Sequence, residues 1–319
     1  MKRKEKILKW TGWGIVFSAI FLLGACGDGT KVKEVDTPTS GSIRVGIDDS
    51  YTLLAEAQVY AFEALYQNTR LDTVFRSEAD VINDFMNDSV ALIIVNRKLS
   101  DNEEQYLKER QFNPRTTKVA IDAIAVILNK ENPDSNLLFR DIRGILEGKI
   151  TRWNQINPAS KLGEIRMVFD NMKSGNPRYF KDRFNITTFP SSCSAARDNK
   201  ELISYIEKNK NAIGLISVNW ISDPQDTVSH GFLSRFKVAA LSIEGDNDRN
   251  TSYYRPYPAY IADGSYPFTR DVYCINRQTY SGLAYGFSSF IAGEKGQYIV
   301  LHSGLVPAAM PVRVVQLKN

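Results

Sequence analysis

Catalytic and metal chemistry usually leans on histidine, and this 319-residue chain has only His230 and His302, far apart and without ligand spacing. Neither a zinc centre nor a Ser-His-Asp relay can be drawn from that pair. Gly144, Gly148, Lys149 and Thr151 come near a phosphate-binding loop, but the loop requires four residues between its glycines and Ser or Thr directly after the lysine. Gly148 reads instead as the C-cap of a helix. What remains is hydrogen-bond donation at the starts of helices, which either caps the helix or holds an anion. Four loops offer it: Asp48-Asp49-Ser50-Tyr51, Ser77 ahead of Asp80, Asn96-Arg97 ahead of Ser100, and Ser174-Gly175-Asn176 ahead of Pro177. Ser50 and Ser77 also read as plain N-caps, and Ser100 with Glu103 reads as a capping box. Ser191 to Ser194 reads as a solvated turn. No acid-base group can be placed, so neither an enzyme nor a cofactor is expected.

The elements that must position these loops follow from hydrophobic periodicity. Ile43 to Ile47 reads as a strand, Leu53 to Tyr66 as a helix, Thr73 to Phe75 as a strand and Ala79 to Asn87 as a helix. Val90 to Val95 is a continuous apolar run, as in a strand buried on both faces. The middle repeats the alternation, with strands at Val119 to Leu128, Ile165 to Phe169 and Ala212 to Ser217 and helices at Phe139 to Leu146, Pro177 to Phe184 and Asn199 to Lys208. After Phe236 to Ile243 comes a polar stretch, Glu244 to Ser252, and then Asp271 to Asn276 and a long helical segment, Tyr280 to Ala292. The pattern predicts an α/β fold with a mainly parallel sheet flanked by helices, and the length suits two lobes.

Lys2, Arg3, Lys4, Lys6 and Lys9 precede an apolar run from Trp10 to Leu23, then Leu23-Gly24-Ala25-Cys26. That order describes a signal peptide over residues 1–25, since the run is shorter than the roughly 20 residues of a membrane span. Leu-Gly-Ala-Cys resembles the bacterial lipobox, which would make Cys26 a lipid-attachment site facing the periplasm or the cell surface. Residues 26–41 read as a flexible tether. Without residues 1–25 the 40 basic and 36 acidic residues of the chain fall into balance, which argues against a nucleic-acid partner. Cys193 and Cys274 are left to pair, or Cys274 to serve as a small buried hydrophobe.

Several segments, in order, resemble the phosphate-binding proteins of bacterial phosphate importers, within the type II periplasmic binding proteins. Val119 to Lys130, Asp134 and Asp141 to Asn154 are similar to that family's crossover strand and the region after it; Asn211 to Ser217 resembles its "a-I-G-Y" strand. Tyr266-Pro267-Phe268-Thr269-Arg270 resembles its "yP-l-R" entry to the last strand of lobe one. Gly293 to Val300 and Gly304 to Pro307 resemble its C-terminal helix signature. The resemblance implies lobe one from residues 42–118 and 256–319, lobe two from 119–255, a two-crossing hinge, and a monomer that delivers inorganic phosphate or a related oxyanion to an ABC importer permease. An oxyanion sensor of the same fold, an exported hydrolase and a structural lipoprotein are the alternatives.

The resemblance also implies the ligand residues: Asp49, Ser50 and Tyr51, where the family has a small-Thr-Phe turn, with Ser77, Asn96, Arg97, Ser174, Gly175 and Asn176 from the other loops. The fourth loop departs from the family's Arg-x-x-x-Ser-Gly-Thr, because Asp170 stands in place of arginine and Asn176 in place of threonine. The missing cation then has to come from Lys173, Arg178, Arg197 or Arg97, or binding loses several kcal/mol. A carboxylate at Asp49 or Asp170 can in turn accept a hydrogen bond from protonated phosphate, whereas sulfate has no proton to donate at neutral pH.

Overall fold

The computed structural model describes residues 36–221 and 235–309; Cys26, the apolar run before it and His230 lie outside the described residues. The strands are β1 (Gly41–Asp48), β2 (Thr69–Arg76), β3 (Leu92–Val95), β4 (Arg115–Asn129), β5 (Asn136–Leu137), β6 (Arg166–Phe169), β7 (Cys193–Ala195), β8 (Ala212–Ser217), β9 (Phe236–Val238), β10 (Ala240–Leu241), β11 (Thr269–Asn276) and β12 (Val306–Pro307). The main sheet runs β2-β1-β3-β11-β4-β8-β6-β7. Both flanks are parallel, β2-β1-β3 on one side and β8-β6-β7 on the other. The central strands β11 and β4 run antiparallel to their neighbours. Periodicity could not separate these cases, since a run buried on both faces reads the same in either direction.

β4 ties the two flanks together. Its first residues, Arg115 to Lys118, are polar and mostly exposed, and from Val119 onward almost every side chain is buried. Over Arg115 to Ala123 it pairs with β11, and over Ile124 to Leu128 with β8. A core on one side gathers Ile43, Val45, Tyr51, Phe62 and Phe287. The larger core on the other side holds Ile124, Phe139, Trp153, Phe169, Phe180 and Leu202, and it also takes in Tyr266, Phe268 and Val306.

The helices that carry the site loops follow the strands. Thr52–Leu65 comes after β1, Glu78–Met86 after β2, Asp101–Glu109 after β3 and Gly175–Phe184 after β6. Phe139–Leu146 ends at Glu147, followed by Gly148 at φ +75°, so the glycine pattern near Lys149 is a helix end that needs a left-handed residue. The run Phe236 to Ile243 is split between β9, on β4, and β10, on β5.

The described residues include Asp36 to Gly41, part of the stretch expected to be tether, and Gly41 already pairs with Thr69 in β2. Asp36 holds this segment down. Its Oδ2 accepts from the Leu283 N–H at 2.5 Å and from Gln278 Nε2 at 2.9 Å, and Oδ1 accepts from the Tyr280 hydroxyl. The carboxylate thus caps the helix Leu283–Ala292 from the far end of the sequence, which is why that helix starts three residues later than the pattern predicts. Burial works against ionisation there, but the hydrogen bonds from Tyr280, Leu283 and Gln278 outweigh it and hold the Asp36 carboxyl below its usual range. Asp36→Ala is expected to cost about 1 kcal/mol, the usual value of a lost cap, read as a lower urea midpoint at unchanged slope.

Cys193 and Cys274 are both free thiols. Cys274 is buried beside Ser288, its sulfur 3.4 Å from the hydroxyl. Among the described residues no helix is long and apolar enough to cross a membrane.

Candidate functional site

The two flanks meet over a buried cluster of charged and amide side chains at the ends of β1, β3, β6, β8 and β11. Its centre is a cross-strand pair. Asp122 on β4 and Arg270 on β11 stand opposite one another in the register, both buried within the sheet. Arg270 Nε donates to Asp122 Oδ2 at 2.9 Å, and the Tyr51 hydroxyl donates to the same oxygen at 3.1 Å. The Ser217 hydroxyl lies 3.0 Å from both Asp122 oxygens. Arg270 is 6% exposed, and its Nη1 has no hydrogen-bond partner among the described residues. Burial alone would lower its pKa, but Tyr51, Asp122 and Asp48 overcome that and keep the guanidinium charged.

The first loop folds into a short 3-10 turn, Asp49–Tyr51, capped by Asp48 rather than by Ser50. Asp48 Oδ1 accepts from the Ser50 N–H at 3.0 Å, and Oδ2 accepts from Asn96 Nδ2 at 2.8 Å. Ser50 is fully buried, and its hydroxyl has no partner among the described residues. Asn219, on the turn after β8, accepts from the Leu54 N–H at 3.3 Å and leaves its Nδ2 unmatched. Trp220 Nε1 donates to the Asp49 carbonyl at 3.1 Å, a second link between the turn after β8 and the first loop.

The fourth loop caps its own helix. The Ser174 side chain accepts from the Asn176 N–H at 3.3 Å and donates to Asp170 Oδ1 at 2.7 Å; Asn176 Nδ2 donates to the same carboxylate oxygen at 2.9 Å. Asp170 thus takes over the helix-start donors that an anion would otherwise meet. Gly175 permits the tightest approach in the site, because a Cβ built there would lie 2.0 Å from Asn96 Nδ2. No other residue fits that position without moving Asn96.

Of the cations expected to replace the family's arginine, Lys173, Arg197 and Arg97 are engaged away from the cluster, and Arg178 reaches it at Asn96. Arg97 places both Nη nitrogens on Glu103, at 2.7 and 2.8 Å, and makes no hydrogen bond to the cluster. Glu103 serves at the same time in the Ser100 capping box. Lys173 pairs with Asp80 and Arg197 with Glu201. Arg178 spans the two flanks, with Nε 2.5 Å from the buried Glu78 and Nη2 2.6 Å from Asn96 Oδ1. Ser77 neither caps its helix nor reaches the cluster, since its hydroxyl donates to Asp80 at 2.7 Å. Of the expected residues, Asp49, Ser50, Tyr51, Asn96, Ser174, Gly175 and Asn176 come together. Arg270, Asp122, Asn219 and Asp48 complete the group, and the signal for Asp122 was a single carboxylate inside the apolar run from Val119 to Leu128.

Carboxylates outnumber cations here. Burial, then Glu78 and Asp49, push Asp48 well above the usual carboxylate range, and burial alone is enough to raise Asp170. Asp49 is raised to about 7 by burial and by the Asp170 charge. A carboxyl raised in the folded state holds protons that the unfolded chain has released, so its contribution to stability is full below the unfolded value and is lost as pH rises through about 7. Asp49→Asn is therefore expected to flatten the fall in melting temperature between pH 5 and pH 8, measured against the parent chain without ligand.

The PBP superfamily domain matches residues 33–295. The chain belongs to that superfamily. Phosphate-binding protein PstS of Staphylococcus saprophyticus is 22% identical over 289 residues, covering 89% of this chain and 84% of the relative. The Staphylococcus aureus protein of the same name is 22% identical over 295 residues, covering 91% and 85%. Among solved structures, a protein of Clostridium perfringens described as a phosphate ABC transporter substrate-binding protein, with bound phosphate, aligns at TM-score 0.68 and 22% identity over 84% of this chain and 100% of that one. An ABC-type phosphate transport receptor from Vibrio cholerae aligns at TM-score 0.62 and 18% identity, over 84% and 100%. The fold is that of the type II periplasmic binding proteins, a superfamily of substrate-binding proteins rather than of enzymes.

Proposed function

We propose that this chain is an extracytoplasmic substrate-binding protein that captures a phosphate-class oxyanion between the two flanks of its sheet and delivers it to an ABC importer. The observation that carries this reading is the buried, charged Arg270, whose Nη1 has no acceptor among the described residues, together with Asn219 Nδ2 and Ser50 Oγ, unmatched among the same residues. Buried donors of this kind are costly unless a ligand completes them. The relatives named as phosphate-binding proteins support the same assignment. Arg270 then takes the role that the substitution at Asp170 vacated. Asp49 and Asp170 become acceptors for a phosphate O–H, which would discriminate against sulfate.

On this reading β4 and β11 are the crossings between lobes, and the chain returns to lobe one near Thr269 rather than at Pro256, because Tyr266 and Phe268 pack in the second core. Export by residues 1–25 and a lipid on Cys26 would hold the protein at the membrane beside its permease. Binding without turnover is the expected activity. Calorimetric titration with phosphate, sulfate and molybdate tests the assignment. Phosphate binding at about micromolar Kd or tighter, with no response to sulfate, is expected; silence toward all three would sink the oxyanion reading.

A further inference from the structure

The unmatched buried atoms of the cluster are of two kinds. Among the described residues Arg270 Nη1, Arg270 Nη2 and Asn219 Nδ2 are donors, Nη2 also standing 2.9 Å from Asp122 Oδ2 as an ion pair; Asp49 Oδ1, Asp170 Oδ2 and Asn176 Oδ1 are acceptors; Ser50 Oγ can serve as either. Neither amide can be turned round to change that count. Asn219 Oδ1 already accepts from the Leu54 N–H, and Asn176 Nδ2 already donates to Asp170. An anion cradle consists almost wholly of donors, whereas here the acceptor side is as large as the donor side.

Inorganic phosphate can occupy such a site but leaves part of its acceptor side unmatched. Its dianion brings one O–H and its monoanion two, against three acceptors, and its charge adds to that of Asp49 and Asp170. Among the described residues neither of those carboxylates lies within ion-pair distance of a cation, although Asp170 feels Arg270 and Asp49 feels Asp170. A primary ammonium brings three N–H donors and the missing positive charge. A metal ion is a poorer occupant, because no three His, Cys, Asp or Glu side chains of the described residues are grouped to hold one.

We propose that this cluster takes a small oxyanion that carries its own primary amine, of the aminoalkyl phosphonate or phosphate-ester class. The oxyanion lies on Arg270, Asn219 and Ser50, and the ammonium lies on Asp49, Asp170 and Asn176. This rests on the oxyanion reading above and extends it by one group. The burial that raises Asp49 and Asp170 becomes tolerable once a cation sits between them.

The test is calorimetric titration of the purified protein at one neutral pH with 2-aminoethylphosphonate, ethylphosphonate and inorganic phosphate. Ethylphosphonate differs from the first probe only by the amine, so the ratio of their dissociation constants isolates that group. A preference of about tenfold or more for the amine-bearing probe is expected, and in Asp170→Asn the ratio should collapse toward one. A smaller preference, or phosphate binding as tightly as 2-aminoethylphosphonate, overturns the proposal while oxyanion capture stands. Failure of all three to bind overturns both. Because the ratio is first read within the unaltered chain, the outcome does not depend on the variant folding.

Discussion

Arg270→Met is expected to abolish oxyanion binding and to destabilise the protein by about 3–5 kcal/mol, the usual cost of removing one partner from a buried ion pair. Asp122 is fully buried, and its strongest partner is the guanidinium; without it, only the hydroxyls of Tyr51 and Ser217 remain to hold a charge in an apolar sheet. The double variant Arg270→Met with Asp122→Asn separates the two effects. Neutralising the stranded carboxylate should restore much of the stability in urea denaturation, but calorimetry should still show no ligand heat, because the donors to the ligand are gone. Recovery of binding along with stability would mean that Arg270 is only a structural strut between β4 and β11.

The second large effect is expected at Gly175. Alanine there places a methyl carbon about where Asn96 Nδ2 lies, at 2.0 Å, and Asn96 cannot withdraw freely because Asp48 and Arg178 hold both ends of its amide. The strain falls on the contact between the two flanks and not on the fold of either. Overpacking of this kind costs about 1–3 kcal/mol, so ligand affinity should drop about 10- to 100-fold while the urea midpoint stays near that of the parent. Small-angle scattering should show a more open body. Adding Asn96→Ala to Gly175→Ala removes the clash and should recover part of the affinity. If the single variant binds as the parent does, the approach of Gly175 to Asn96 is not needed for the bound state.

The sequence and the structure agree best where the determining contacts are local. The helices Phe139–Leu146 and Asn199–Lys208 and the strand Ala212–Ser217 have the limits that their periodicity predicts. The Ser100 and Glu103 capping box forms as its spacing implies. Local chemistry also misled. Arg97 lies on the expected turn, yet Glu103, only six residues on, draws its guanidinium away from the cleft. Ser50 looked like an N-cap, but Asp48, two residues earlier, supplies that hydrogen bond and leaves the serine hydroxyl for another partner.

By itself the sequence determined the α/β class, the family and the loops that open onto the site, because periodicity, turn residues and short motifs act over a few residues. The tertiary structure alone decided the polarity of the site. Arg270 meets Asp122 across 148 positions, Asn96 meets Gly175 across the gap between the flanks, and Asp36 caps a helix 247 residues away. The energy of a buried charge depends on what surrounds it in space, and those neighbours are brought together only when the central strands pair antiparallel and draw the two flanks into one sheet.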